Sequence, residues 1–195
     1  MSDRIEILAR RLAERVPREI EVAAREQAAI AVILNGTEPA TLDLLLIQRA
    51  ECPGDPWSGH MALPGGRRDD GDVDLCATGM REAREETGVE LEEARLLGRL
   101  DDLRPIRQSQ RALAVRPFVY WSAERPELRL SSEVADAFWV PLVQLRAAAT
   151  KARVLHRGET LTVPAFVIGE RTVWGMTHRV LAELLELTLD RSSRL

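Results

Sequence analysis

Cysteine is scarce: the chain has two, Cys52 and Cys76, among 195 residues. Two thiols cannot frame a disulfide scaffold. One falls in a Pro- and Gly-rich loop and the other on the apolar face of a predicted helix, which does not suit a zinc site, so both read as ordinary reduced thiols. No apolar run of 18 residues occurs, and Met1–Arg11 carries no signal-peptide pattern. A soluble cytoplasmic protein with no membrane partner is therefore the default expectation. A basic stripe is also missing. The net charge of −4 and the pI near 5.5 argue against nucleic acid as a partner, while leaving room for a local basic pocket for phosphates. No repeat and no linker divides the chain, so one domain over residues 1–195 is expected.

What is present is enough for a core, since 45% of the residues are hydrophobic. Ile5, Leu8, Leu12 and Val16 recur at helical spacing and predict an amphipathic helix from Ser2 to about Val16. Gln27–Leu34 and Leu42–Gln48 are apolar runs separated by Asn35-Gly36-Thr37-Glu38-Pro39, and they read as two strands covered on both faces. Ala94–Leu103, Ala112–Trp121 and Val134–Val140 also read as strands, with Pro117 marking an edge or a bulge in the second. Pro141–Ala149 fits a short helix. Val154–His156 and Leu161–Ile168 fit a hairpin across Arg157-Gly158-Glu159, and Trp174–Leu189 an amphipathic helix capping the domain. Strands mixed with helices in this order predict an α/β or α+β layered domain.

The stretch Leu63–Glu90, LPGGRRDDGDVDLCATGMREAREETGVE, concentrates the chemistry. Pro64, Gly65 and Gly66 predict a tight turn, a polar loop follows, and a helix begins near Val73 and stops at Gly88. At about 100° per residue, Val73, Cys76, Ala77, Met80, Ala83 and Thr87 form a packing side. Glu82, Glu85 and Glu86 then fall together on roughly the opposite side, flanked by Arg81. Carboxylates at i, i+3 and i+4 repel one another, and a bound cation with a preference for hard oxygen ligands, Mg²⁺ or Mn²⁺, offsets that repulsion. On glutamate spacing alone, a solvated helix face is the simpler explanation of the run.

The whole pattern is more specific. Gly66, the acidic Asp72, and then Arg81, Glu82, Glu85, Glu86, Gly88 and Val89 resemble the signature of the Nudix hydrolases. Two departures stand out: Asp72 occupies a position where Glu is usual, and the segment from Gly66 to Arg81 is one residue longer. The resemblance implies a mixed sheet in an α/β/α sandwich and metal-dependent hydrolysis of a nucleoside diphosphate linked to another moiety. It further implies Glu82, Glu85 and Glu86 as metal ligands, Glu85 and Arg81 in catalysis, with Arg81 as an orienting group, and Asp72 assisting through water. Glu133, just ahead of a strand, is the candidate general base; a surface acid is the plain alternative.

Leu45–Gly66 and Trp174-Gly175-Met176-Thr177 look like the coenzyme A pyrophosphatase branch of that family. The match is imperfect: Leu63 replaces a usual Phe, and no Arg lies between Arg49 and Gly59. Cleavage of coenzyme A or a derivative is the implied activity. The alternatives are ADP-ribose, another nucleoside diphosphate linked to a sugar, and a non-catalytic nucleotide sensor. Arg49, Gly65, Gly66, Arg67, Arg104 and Arg107 are the candidate substrate-binding residues. His60 reads first as a structural hydrogen-bonder, and Trp57 either as a stacking platform or as packing. The sequence leaves monomer and homodimer both open.

Overall fold

A computed structural model of the protein describes residues 3–36, 42–55, 57–92, 94–105, 113–156 and 158–188. Its centre is β1 (Gln27–Asn35) and β2 (Asp43–Arg49). In β1 the side chains of Ile30, Val32 and Leu34 join one apolar cluster and those of Ala29, Ala31 and Ile33 another. That is the two-residue alternation of a strand covered on both faces, and it explains why the run is apolar without interruption.

One edge of β1 pairs in parallel with β6 (Ala114–Ser122), which pairs antiparallel with β5 (Arg95–Arg99). One edge of β2 pairs antiparallel with β7 (Val134–Pro141). Between β1 and β2 the pairing is confined to Leu34 with Leu44 and Asn35 with Asp43. Beyond those residues the two strands splay into a V. Its arms carry two short strands: β3 (Met61–Ala62) on Ile47 and Gln48 of β2, and β4 (Gly65–Arg67) on Ala28–Ile30 of β1. Between them Pro64 O accepts a hydrogen bond from Ala31 N at 2.8 Å, which seats the turn. The result is a mixed seven-stranded sheet.

Helices cover both faces. Helix α2 (Leu75–Thr87) packs Leu75 and Ala83 against Ala29, Ala31, Phe118 and Tyr120. On the other face, α1 (Asp3–Glu14), α3 (Leu142–Ala147) and α4 (Gly175–Thr188) supply Leu8, Leu145 and Leu181. These three leucines are at most 1% exposed, and burial of each contributes about 1.5–3 kcal/mol. A separate antiparallel sheet, β8 (Ala149–His156), β9 (Glu159–Ile168) and β10 (Arg171–Trp174), lies against β3, α3 and α4. This is the mixed sheet between helices that the resemblance implies.

Three local expectations are corrected. Strand β6 is interior, so Pro117 does not mark an edge; the irregularity lies in the partner strand, between Leu96 and Gly98 of β5, and Leu100 N donates to Pro117 O at 3.0 Å. Helix α2 starts two residues late, because Asp74 is its N-cap and accepts from Ala77 N at 2.8 Å, leaving Val73 85% exposed. The packing side is also rotated: Leu75, Thr78, Gly79, Ala83, Glu86 and Thr87 are the buried residues of α2. Glu86 therefore faces the sheet rather than solvent. Strand β10 had no counterpart among the sequence expectations, and residues 37–39 of the expected turn, with Arg157 of the hairpin, lie outside the described residues.

Candidate active site

The splayed strands explain the Gly-Gly turn. A Cβ on Gly65 would stand 2.3 Å from Ala29 O, so only glycine lets β4 lie against β1. A Cβ on Gly66 would stand 2.4 Å from Glu82 Oε1. The second glycine thus makes room for a carboxylate, not for backbone. Gly88 ends α2 in the left-handed region, at φ 72°, and its N–H bonds Arg84 O at 2.9 Å. A Cβ there would meet Arg129 Cβ at 2.9 Å.

Arg81 is the organising cation. Its Nε and Nη2 grip both oxygens of Asp72 at 3.0 and 3.1 Å, Nη1 reaches Glu82 at 3.0 Å and Glu85 at 2.9 Å, and Nη2 also bonds Arg67 O at 2.9 Å. Those bonds use all five donors of the guanidinium. Asp72 also accepts from Asp69 N and Thr78 Oγ1, both at 2.9 Å. With Arg81 beside it as the main cause, its pKa falls to about 2. Four donors hold its carboxylate, and Asp72 anchors Arg81.

Glu86 has the opposite setting. It is 5% exposed, and burial pushes its pKa up to about 7, with Glu82 and Glu133 adding to the rise and the bond from Gly65 N at 2.9 Å opposing it. Burial also raises Glu82, against the pull of Arg81. Glu85 is half exposed and held by Arg81. Among the described residues no three His, Cys, Asp or Glu side chains form a ready-made metal cage; Arg81 and Gly65 N–H occupy carboxylate oxygens. The donor set still suits a hard divalent ion. Buried Glu86 and partly buried Glu82, both with raised pKa values, carry a desolvation cost that a cation relieves, and Gly66 makes room for the Glu82 carboxylate.

Glu133 is tied in through its own backbone. Ser131 N donates to Glu86 O at 3.1 Å and Ala50 N to Glu133 O at 2.8 Å, so this segment bridges α2 and the end of β2. The charge of Glu133 acts on both Glu82 and Glu86. Arg49, at the end of β2, pairs with Asp55 at 2.9 Å. Its Nε is buried without a partner among the described residues, and its charge favours ionised Glu86.

Next to this cluster opens a cavity of about 700 Å³, lined in part by Arg49, Gly65, Gly66 and Arg67. The Arg67 side chain is exposed. Arg104 is exposed and outside the lining, its carbonyl accepting from Arg179 Nη1 at 3.0 Å. Arg107 lies outside the described residues. Both Cys52 and Cys76 are free thiols, and Cys76 Sγ lies 3.1 Å from Tyr120 Oη beneath α2. Sequence reasoning missed His156, His178 and Arg179 as cavity residues. Their only local signal was proximity to hairpin and helix boundaries, because the pairing of β8 with β9 and the docking of α4 bring them in from far along the chain.

Residues 24–158 match the model of the NUDIX domain, and the chain belongs to the Nudix family of hydrolases. An uncharacterised Nudix hydrolase, NudL, of Cronobacter sakazakii is 32% identical over 163 residues, 82% of this chain and 81% of that protein. An uncharacterised protein of Schizosaccharomyces pombe is 35% identical over 180 residues, 80% of this chain and 54% of its own. The human mitochondrial coenzyme A diphosphatase NUDT8 is 33% identical over 134 residues, 66% of this chain and 56% of its own. The chain therefore spans little more than half the length of these last two. A MutT/nudix family protein from Enterococcus faecalis shares the fold, with a TM-score of 0.55 and 19% identity over 92% of this chain and 66% of that one. Divalent metal ions serve Nudix hydrolases generally. Among the described residues no helix is long and apolar enough to cross a membrane.

Two predictions follow from the geometry. Gly66→Ala forces the Glu82 carboxylate aside but meets only a side-chain tip, so Mn²⁺ binding measured by calorimetry weakens about 10- to 100-fold, while thermal unfolding stays within a few degrees of the parent. Unaltered Mn²⁺ affinity rejects the cradle. Asp72→Asn costs about 2 kcal/mol at pH 7, from a pKa depressed from 3.8 to about 2. A depressed carboxylate stabilises above its unfolded value and loses that contribution as pH falls through its folded one. The difference between parent and variant in urea unfolding therefore narrows below pH 4 and nearly vanishes at pH 2; a constant difference over that window contradicts the assignment.

Proposed function

We propose that this protein is a divalent-cation-dependent pyrophosphohydrolase that cleaves the diphosphate of coenzyme A or a derivative. The products are 4′-phosphopantetheine, or its derivative, and adenosine 3′,5′-bisphosphate. The observation that carries the reading is the placement of the acidic cluster next to the 700 Å³ cavity: Arg49 and Gly65 line it while acting on Glu86, and Arg49 Nε has no partner among the described residues. The 33% identity with a human coenzyme A diphosphatase supports the choice of substrate.

Glu82, Glu85 and Glu86 would hold the metal. When bound, such an ion neutralises charge developing on the diphosphate and lowers the pKa of a water. The chain's own residues do the rest. Arg81 fixes Glu82 and Glu85 in orientation, anchored in turn by Asp72. Gly65 N–H steadies Glu86. Arg49 Nε donates to a phosphate oxygen as a charge-assisted bond, and the exposed Arg67 at the cavity rim meets further negative charge. Glu133 takes the proton of the attacking water.

Glu133→Gln is expected to lower kcat about 10²- to 10⁴-fold with little change in metal affinity. An unchanged pH–rate profile in that variant returns Glu133 to a surface role. The substrate reading is tested by comparing kcat/KM for coenzyme A, dephospho-coenzyme A and ADP-ribose, with and without a divalent cation. With Arg67 on the 3′-phosphate, coenzyme A leads dephospho-coenzyme A by about ten- to a hundredfold. Equal rates on those two remove the 3′-phosphate contact, and a clear preference for ADP-ribose rejects the coenzyme A reading. Hydrolysis that survives chelation rejects the metal role.

A further inference from the structure

All three histidines of the chain, His60, His156 and His178, line the one cavity beside the acidic cluster. Trp57 and Trp174 join two of them in its wall. Trp57 stacks on His156 with ring centroids 4.9 Å apart, His60 lies 5.1 Å from Trp174, and His156 meets Trp174 edge-on at 5.3 Å. His156 is 6% exposed, and its Nδ1 has no hydrogen-bond partner among the described residues. Buried polar atoms are nearly always paired, so an orphan in a cavity wall points to a ligand group.

The character of that ligand follows from what surrounds the orphan. Ile30, Met61, Leu161, Val163 and Met176 make the remaining wall mainly apolar, and methionines adapt to an irregular flexible occupant. The charged side chains of the lining are Arg49, Arg67 and Arg179; none belongs to the aromatic quartet. Burial lowers the pKa of His60 and His178, so at neutral pH neither supplies a positive charge. Arg49 is the cation nearest the quartet, its backbone N–H bonding His60 O at 3.0 Å, but its Nη2 is already paired with Asp55 at 2.9 Å. Nor does the quartet offer a slot for a nucleobase. Sandwiching a base takes two parallel ring faces held apart, whereas Trp57 and Trp174 are tilted by 47° with centroids 6.3 Å apart, and the face of Trp57 is stacked on His156.

We propose that the aromatic end of the cavity is the subsite for the uncharged half of the substrate, a flexible arm of amides ending in a thiol or thioester, with His156 Nδ1 hydrogen-bonded to an amide of that arm. An amide both donates and accepts, so it serves either tautomer of His156. In coenzyme A that half is pantetheine. The adenosine half, carrying the 3′-phosphate, stays toward Arg67 and solvent. This deepens the coenzyme A reading and rests on it, and it assigns to β8, the 57–60 loop and the start of α4 the recognition of the arm.

Because every histidine lies in the cavity, imidazole NMR resonances of the full chain report on this site alone. Pantetheine and adenosine 3′,5′-bisphosphate are added separately as probes. Pantetheine is expected to shift the His156 and His60 resonances, and adenosine 3′,5′-bisphosphate to leave them in place. Shifts with the bisphosphate alone, with both probes or with neither overturn the subsite. His156→Leu is expected to weaken pantetheine binding about tenfold, and His156→Gln, which keeps a donor and an acceptor, to restore most of it. Equal binding in parent and His156→Leu overturns the role of Nδ1. The two readings fail separately. Pantetheine shifts in a protein that leaves coenzyme A intact reject the activity and keep the subsite, whereas cleavage of coenzyme A without pantetheine shifts rejects the subsite and keeps the activity.

Discussion

The guanidinium of Arg81 is where the catalytic helix, the polar loop and the Gly-Gly strand meet. Five hydrogen bonds join it to Asp72, Glu82, Glu85 and the Arg67 carbonyl. Without a cation at that position, the carboxylates at 72, 82 and 85 would face one another across the start of the helix, and each like-charge contact would push the loop away. Lysine offers three donors from a single point and could not bridge the two sides. The longer segment between Gly66 and Arg81 is accommodated because Asp72 turns inward, held by Asp69 N and Thr78 Oγ1.

That arrangement divides the acidic residues into two electrostatic kinds. Asp72 is saturated with donors and sits near pKa 2, while Glu86, sealed between helix and sheet with a single donor from Gly65, sits near 7. The difference arises from solvation and partners, not from residue type. A group like Asp72 is committed to structure, whereas Glu86 and Glu82 retain an unmet demand for positive charge. Helix α2 thus has its anchor on the loop side and the carboxylates with raised pKa values, Glu82 and Glu86, toward β4.

Much of this was legible in the sequence because the signals were local. Unbroken apolarity in β1 and β2 announced two covered strands, and the run from Arg81 to Gly88 announced the site. Where the reading went wrong, a tertiary constraint competed with a local rule. Helical spacing puts Glu86 with the exposed face, as a glutamate normally is; the structure turns it to the buried side of α2, where Gly65 N bonds it. Pro117 suggests an edge or a bulge because proline lacks a donor, yet it sits in an interior strand, its carbonyl bonded by Leu100 N, and the register shift lies in β5. Gly66 was read as a turn residue, and its actual constraint, the Glu82 carboxylate, lies sixteen positions away and leaves no trace in spacing.

The cavity was the least legible feature because its walls come from segments with no common pattern. His156 ends β8, Trp57 and His60 belong to a loop ahead of β3, and Trp174 closes β10. The matched NUDIX domain ends at residue 158, so β9, β10 and α4 lie beyond it. Thr177 Oγ1, near the start of α4, donates to Met61 O at 3.3 Å and helps tie those elements to the V-shaped opening. The cavity wall is therefore drawn from inside the matched domain, with Trp57, His60 and His156, and from beyond it, with Trp174 and His178. Changes in β9, β10 and α4 can reshape that wall without touching α2, which packs mainly against β1, β4, β6 and β7.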